Sequence, residues 1–181
     1  MTRRIIATLL TLALTASLLC VGMVPAAAAG ATYTFDAAEL TAAADKETFT
    51  GGSFADGYIA GFGELSKRTS TDGAVKSVEV GKDGASGFSF TLGGVAQVKV
   101  EFSSTGGSNT STAGLWDANG QLVPNNEGIT VVTGTDKTAL TWTDLPAGDY
   151  KVVSPDASEH ARGARVYTIS IEDSAGARAP R

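Results

Sequence analysis

From Thr32 onward, apolar and polar residues alternate along the chain with a period of two. Phe88, Phe90 and Leu92 fall on one face while Ser89 and Thr91 fall on the other. Val98, Val100 and Phe102 oppose Gln97, Lys99 and Glu101, and Val78 and Val80 oppose Ser77 and Glu79. Half-buried antiparallel strands produce this pattern, with one face in a core and one in water. Turn residues separate the runs: Asp72-Gly73, Asp83-Gly84, Gly93-Gly94, Gly106-Gly107, Asn119-Gly120 and Ala147-Gly148. About nine or ten short strands result, spaced roughly 8–14 residues apart. They predict an all-β, antiparallel two-sheet β-sandwich or jelly roll. The one segment with helical character is 37–47, where Asp36 is placed to cap a short helix. Parity puts Trp142 in the core with Leu140 and turns Trp116 outward, opposite Leu115. The last strand is read with Arg165, Tyr167, Ile169 and Ile171 on one face, so that Arg165 reaches the rim of the sheet.

The first thirty residues depart from this pattern. Arg3-Arg4 precede an apolar stretch from Ile5 to Val24, and Pro25 leads into Ala26-Ala27-Ala28-Ala29-Gly30. A basic start, an apolar centre and small residues at the end predict a secretory leader cut after Ala29. Cys20 follows Leu18-Leu19 rather than a small residue, which argues against lipid attachment there. Loss of Arg3 and Arg4 takes the formal charge from −5 to −7, and loss of Cys20 leaves no cysteine. The expected organisation is a signal peptide over 1–29, a β-sandwich domain over 30–173 and a flexible tail over 174–181. The mature protein is read as secreted and extracellular, monomeric, and free of the membrane once the leader is removed.

An acidic chain lacks the basic stripe that nucleic acid requires, so no nucleic-acid partner is expected. With one His and one Cys in 181 residues, thiol catalysis and most metal clusters have no residues to use. No nucleophile elbow, Walker loop or zinc-protease motif occurs, and the chain is read as a non-enzyme without cofactor. Loop oxygens of Asn125, Asn126, Glu127 and Asp136 are the one candidate set for a structural calcium. The remaining chemistry is cationic and aromatic. Arg162, Arg165 and Tyr167 lie at the start of the last strand, and Lys67-Arg68 form a second basic spot. An arginine fork suits a carboxylate or paired hydroxyls, and an aromatic face suits a sugar ring, so Trp116 joins the candidate ligand-binding set.

The order Thr32-Tyr33-Thr34-Phe35-Asp36, Lys67-Arg68, Ser77-Val78-Glu79-Val80-Gly81, Leu115-Trp116-Asp117-Ala118-Asn119-Gly120, Leu145-Pro146-Ala147-Gly148-Asp149-Tyr150 and Arg165-Val166-Tyr167 resembles a known family. It is similar to the β-sandwich accessory modules of secreted bacterial pectate lyases and related polysaccharide-degrading enzymes. The resemblance spans about residues 32–172. It implies a non-catalytic, carbohydrate-binding domain for polysaccharide, with acidic, pectin-like chains as the implied ligand. Lys67, Arg68, Arg165 and Tyr167 are the groove residues it implies. Residues 115–153 also resemble the pre-peptidase C-terminal domains of secreted proteases, which implies a protein-interaction or structural sandwich instead. A small polysaccharide lyase or hydrolase is the third reading.

Overall fold

The computed structural model describes residues 30–107, 109–112, 114–154 and 163–175. The leader expected over 1–29, Arg162 and the end of the tail lie outside the described residues. Among the described residues the alternating runs form twelve strands, and every pairing between them is antiparallel. They are β1 (Ala31–Asp36), β2 (Thr48–Phe54), β3 (Ile59–Thr69), β4 (Val75–Val80), β5 (Gly87–Leu92) and β6 (Ala96–Ser104). Then follow β7 (Thr110–Ser111), β8 (Gly114–Asp117), β9 (Val132–Thr133), β10 (Thr138–Leu145), β11 (Gly148–Val153) and β12 (Ala164–Asp173).

One layer runs β10-β6-β12, with β1 along Thr168 to Asp173 of β12 and β4 along Ala164 to Val166. The other runs β8-β11-β5-β3-β2. β3 belongs to both. Its first part, Ala60 to Phe62, pairs with β5, and its last part, Ser66 to Thr69, pairs with β4. The passage is made at Gly63, whose φ of 66° lies in the left-handed region. The two layers enclose the inward residues expected from parity. Phe88, Val98, Val100, Phe102, Leu140, Ile169 and Ile171 are completely buried. Across the layers Phe35 of β1 meets Phe88 of β5 at 4.6 Å between ring centroids, and Phe54 of β2 at 4.9 Å. Trp142 is 1% exposed, as its parity with Leu140 predicts, and its indole N–H donates to the Val123 carbonyl.

Two expectations need correction. Asp36 does cap a helical turn, accepting from the Ala38 N–H at 2.8 Å, but the 3-10 turn covers only Ala37–Glu39. Leu40 is already extended. The chain then closes on β3 instead of continuing as a helix. Lys46 N–H donates to the Lys67 carbonyl and Lys67 N–H to the Glu47 carbonyl. Only Ala37 of the turn is buried, so there is no apolar stripe to hold a longer helix against the core. The second correction concerns β12. A register shift against β6 between Val166 and Thr168 reverses the parity there. Ala164 and Val166 therefore join Ile169 and Ile171 in the core, while Arg165 lies on the opposite face and not with the isoleucines.

Candidate functional site

Outward residues of the second layer contribute to a groove that Tyr33 of β1 and Tyr58 also line. Across β8, β11, β5 and β3 the register aligns Trp116, Lys151, Ser89 and Ala60 in one row. The small side chains of Ser89 and Ala60 leave the middle of this row low. The next position along adds Thr91 and Asp149, whose side chains meet at 2.6 Å. The resulting groove, about 750 Å³, is lined by Ala60, Ser89, Thr91, Asp117, Asp149 and Lys151, together with three tyrosines and the Asp56-Gly57 turn. Three consecutive residues of that turn, Ala55, Asp56 and Gly57, have φ of 50°, 55° and 89°. Two of them carry a Cβ, so the rim is held in a backbone conformation costing on the order of 1–3 kcal/mol per strained residue.

The aromatic wall is Tyr33 stacked on Tyr58, with ring centroids 3.6 Å apart and planes within 1°. Tyr58 is fixed from below. Its hydroxyl donates to Asp173 Oδ2 at 2.6 Å, and Asp173 also accepts from the backbone N–H groups of Gly93, Gly94 and Ala175. Burial alone would raise the Asp173 carboxyl; the Tyr58 hydroxyl and the three amides outweigh it and hold the group below its ordinary value. Burial and the adjacent carboxylate push Tyr58 far above the usual phenol range, so it stays a neutral donor. Tyr150, beside Phe90 in the groove floor, donates its hydroxyl to the Pro146 carbonyl. Asp117 is held below the usual carboxylate value by amide hydrogen bonds from Gln121 first, then by Asn119. Lys151 lies over the Phe62 ring at 5.5 Å.

The basic residues singled out in the sequence go elsewhere. Lys67 and Arg68 are neighbours on a strand and therefore point to opposite faces. Lys67 lies on the inner side, where Nζ reaches Glu47 at 2.6 Å and the Thr41 carbonyl at 2.8 Å, above the Phe49 ring. It closes the end of the core. Arg68, on the outer side, meets Arg165 in a second cleft of about 370 Å³ with Lys46, Ser66, Glu79, Thr105 and Asn109. No residue lines both this cleft and the tyrosine groove. Tyr167 is 7% exposed in the β12 bulge, hydrogen-bonded to Ser103 and covered by Lys137, so it offers no open stacking face. Trp116 is half-buried on β8, at the end of the Lys151–Ser89–Ala60 row, and does not line the groove, although Asp117 beside it does.

Among the described residues no group of three or more His, Cys, Asp or Glu comes together as a metal cage. Three of the loop residues considered for calcium serve the chain itself. Asn125 bonds Ile129, Asn126 bonds Thr143, and Glu127 accepts from the Thr141 N–H.

Sequence reasoning missed Tyr33, Tyr58, Asp149 and Lys151. The outward parity of Ser89 and Thr91 was the available signal. It could not show that β11 and β3 flank them.

No protein-family model matches this chain, and no curated protein matches it. Among solved structures it is similar to the CBM22-1 xylan-binding domain of Xyn10C from Paenibacillus barcinonensis, at 13% identity and a TM-score of 0.40, over 76% of this chain and 100% of that one. A chain from work on glycan recognition in the Ruminococcus flavefaciens cellulosome matches at 14% and 0.41, over 79% of this chain and 94% of that one. The C-terminal CBM6 of LamC, a marine laminarinase from Zobellia galactanivorans, matches at 11% and 0.31, over 79% and 100%. None of the three is described as a pectate lyase module.

Proposed function

We propose that this chain is a secreted, non-catalytic carbohydrate-binding module that takes a polysaccharide in the tyrosine groove. The observation behind this reading is the Tyr33–Tyr58 stack, anchored by Asp173 at the wall of an open groove whose rim is polar. A pyranose ring has an apolar face that packs on such an aromatic wall. Its hydroxyls match the carboxylates of Asp56, Asp117 and Asp149 and the ammonium of Lys151. Three carboxylates against one ammonium favour a neutral glycan there over an acidic one. A few contacts of this kind give micromolar to millimolar affinity, roughly −4 to −8 kcal/mol.

The rival readings find less support. A lyase or hydrolase built on the basic residues needs Lys67 or Arg165 facing two carboxylates. Lys67 meets one carboxylate, Glu47, and the Arg165 hydrogen bond goes to the Thr105 carbonyl. A protein-docking sandwich needs a continuous apolar patch, whereas the exposed large apolar side chains among the described residues are Val95 and Val131.

Affinity electrophoresis of residues 30–181 in gels containing xylan, mixed-linkage glucan or polygalacturonate tests the reading. Retardation by a neutral polysaccharide, weakened tenfold or more by Tyr33→Ala, is the expected result. Migration unaffected by every neutral polysaccharide would overturn it. Lys67→Met is expected to leave retardation unchanged. Its ion pair is partly exposed, so the urea unfolding curve should move little.

A further inference from the structure

Four buried side-chain nitrogen or oxygen atoms among the described residues have no hydrogen-bond partner: Arg68 Nε, Ser77 Oγ, Trp116 Nε1 and Arg165 Nε. Three of these four sit at one place. Arg68 and Ser77 are cross-strand partners on β3 and β4, and Arg165 of β12 is the cross-strand partner of Glu79, two residues beyond Ser77. Buried polar groups are almost always satisfied, so a cluster of exceptions calls for a cause. Two of the three, those of Arg68 and Arg165, belong to residues that line a cleft with Lys46 and Glu79.

Three cations and one carboxylate line that cleft, in a chain whose formal charge is −5. Its two arginines are held in place. Arg165 Nη2 donates to the Thr105 carbonyl at 2.9 Å, and Arg68 lies 3.7 Å from both Glu79 and Asp45. Neither contact of Arg68 is a hydrogen bond, so its guanidinium is oriented without being saturated. Lys46 stands at φ 62° in the turn before β2. The rest of the lining is Ser66, Thr105 and Asn109, groups that bond hydroxyls and offer no stacking surface.

We propose that this cleft is a second binding site, separate from the tyrosine groove, which receives the carboxylate of an acidic sugar unit. The arginine forks take the carboxylate, and Ser66, Thr105 and Asn109 take the neighbouring hydroxyls. Glu79, 3.7 Å from Arg68 Nε and the cross-strand partner of Arg165, orients the Arg68 guanidinium. The site does not depend on the groove, because no side chain is shared between them.

Titration of the isotopically labelled protein with trigalacturonate, followed by amide chemical shifts, tests the proposal. Shifts at Ser66, Glu79, Thr105 and Asn109 are expected, with an affinity that weakens as salt is raised. Arg165→Gln is expected to weaken it tenfold or more. Lys46→Gln, at an exposed turn where folding is not at risk, is expected to weaken it severalfold. A neutral xylo-oligosaccharide should leave those amides unmoved in the same experiment, whatever it does at Tyr58, Ser89 and Lys151. Absence of binding, perturbation confined to the tyrosine groove, or acetate and inorganic phosphate binding as tightly as trigalacturonate would each overturn the proposal. Failure of neutral glycans to bind would count against the groove alone.

Discussion

Gly63→Ala is expected to destabilise the protein by about 3–4 kcal/mol and to lower Tm by roughly 10 °C. Two costs combine at this position. A residue with a Cβ pays about 1–2 kcal/mol to hold the left-handed conformation that Gly63 adopts at φ 66°. The added methyl would also lie 2.2 Å from the Ala85 carbonyl oxygen and 2.8 Å from Ser86 Cα. Both are backbone atoms, so relief requires moving the β4–β5 connection, and overpacking of this sort typically costs about 1–3 kcal/mol. The position matters because β3 changes layers there, pairing with β5 before Gly63 and with β4 after it. Gly73→Ala separates the two costs. Gly73 has φ 87°, and a methyl added there would meet nothing within 4 Å, so only the conformational cost of about 1 kcal/mol applies. Thermal unfolding of both variants checks the argument. Equal losses of Tm would show that close approach at the crossover is not what requires glycine.

The layers themselves were legible because alternation reports which face of a strand is buried without reporting its neighbours. Phe88, Phe90 and Leu92 were correctly placed inward, and Asp72-Gly73, Asp83-Gly84 and Asn119-Gly120 do supply positive-φ turns. Two local events lay beyond that pattern. A bulge changes parity within β12, and the helix expected after Asp36 yields to backbone bonds from Lys46 and Glu47 to Lys67, some twenty residues away. Bulges and long-range pairing are set by tertiary packing, which outweighs local propensity.

The same distinction governs the sites. Residue chemistry pointed to arginine and aromatic side chains, and it did bring Arg68 and Arg165 to one cleft. The resemblance set Lys67 beside them, although strand geometry sends the adjacent side chains of Lys67 and Arg68 to opposite faces. The tyrosine groove was harder to foresee. Tyr33, Tyr58, Asp117 and Lys151 come from β1, the turn before β3, β8 and β11, and only the strand order makes them neighbours. A site assembled across a sheet is written in the pairing, which alternation does not encode.

Asp173→Asn is expected to cost roughly 3 kcal/mol at neutral pH and to weaken groove binding at the same time. The carboxylate is 1% exposed and accepts four hydrogen bonds, Tyr58 and Gly93 on Oδ2, Gly94 and Ala175 on Oδ1. An asparagine has one acceptor oxygen. Whichever way its amide is turned, the NH2 group faces two donors, and each buried donor left unpaired costs about 1–3 kcal/mol. The pH dependence follows from the direction of the shift. The Asp173 carboxyl is held below its ordinary value of 3.8 in the folded protein, so its contribution is fully present above that value. It is lost as pH falls through the lower, folded-state value. The stability difference between wild type and Asp173→Asn should therefore be constant from neutral pH down to about 4 and should narrow below it. Because Asp173 is what holds Tyr58 against Tyr33, the variant should also lose affinity for a neutral glycan under conditions where it remains folded. Urea unfolding at several pH values, with gel retardation at neutral pH, measures both effects. A variant as stable as wild type would show that the four donors find other partners. A destabilised variant with unchanged retardation would show that the Tyr58 ring keeps its place without the carboxylate beneath it.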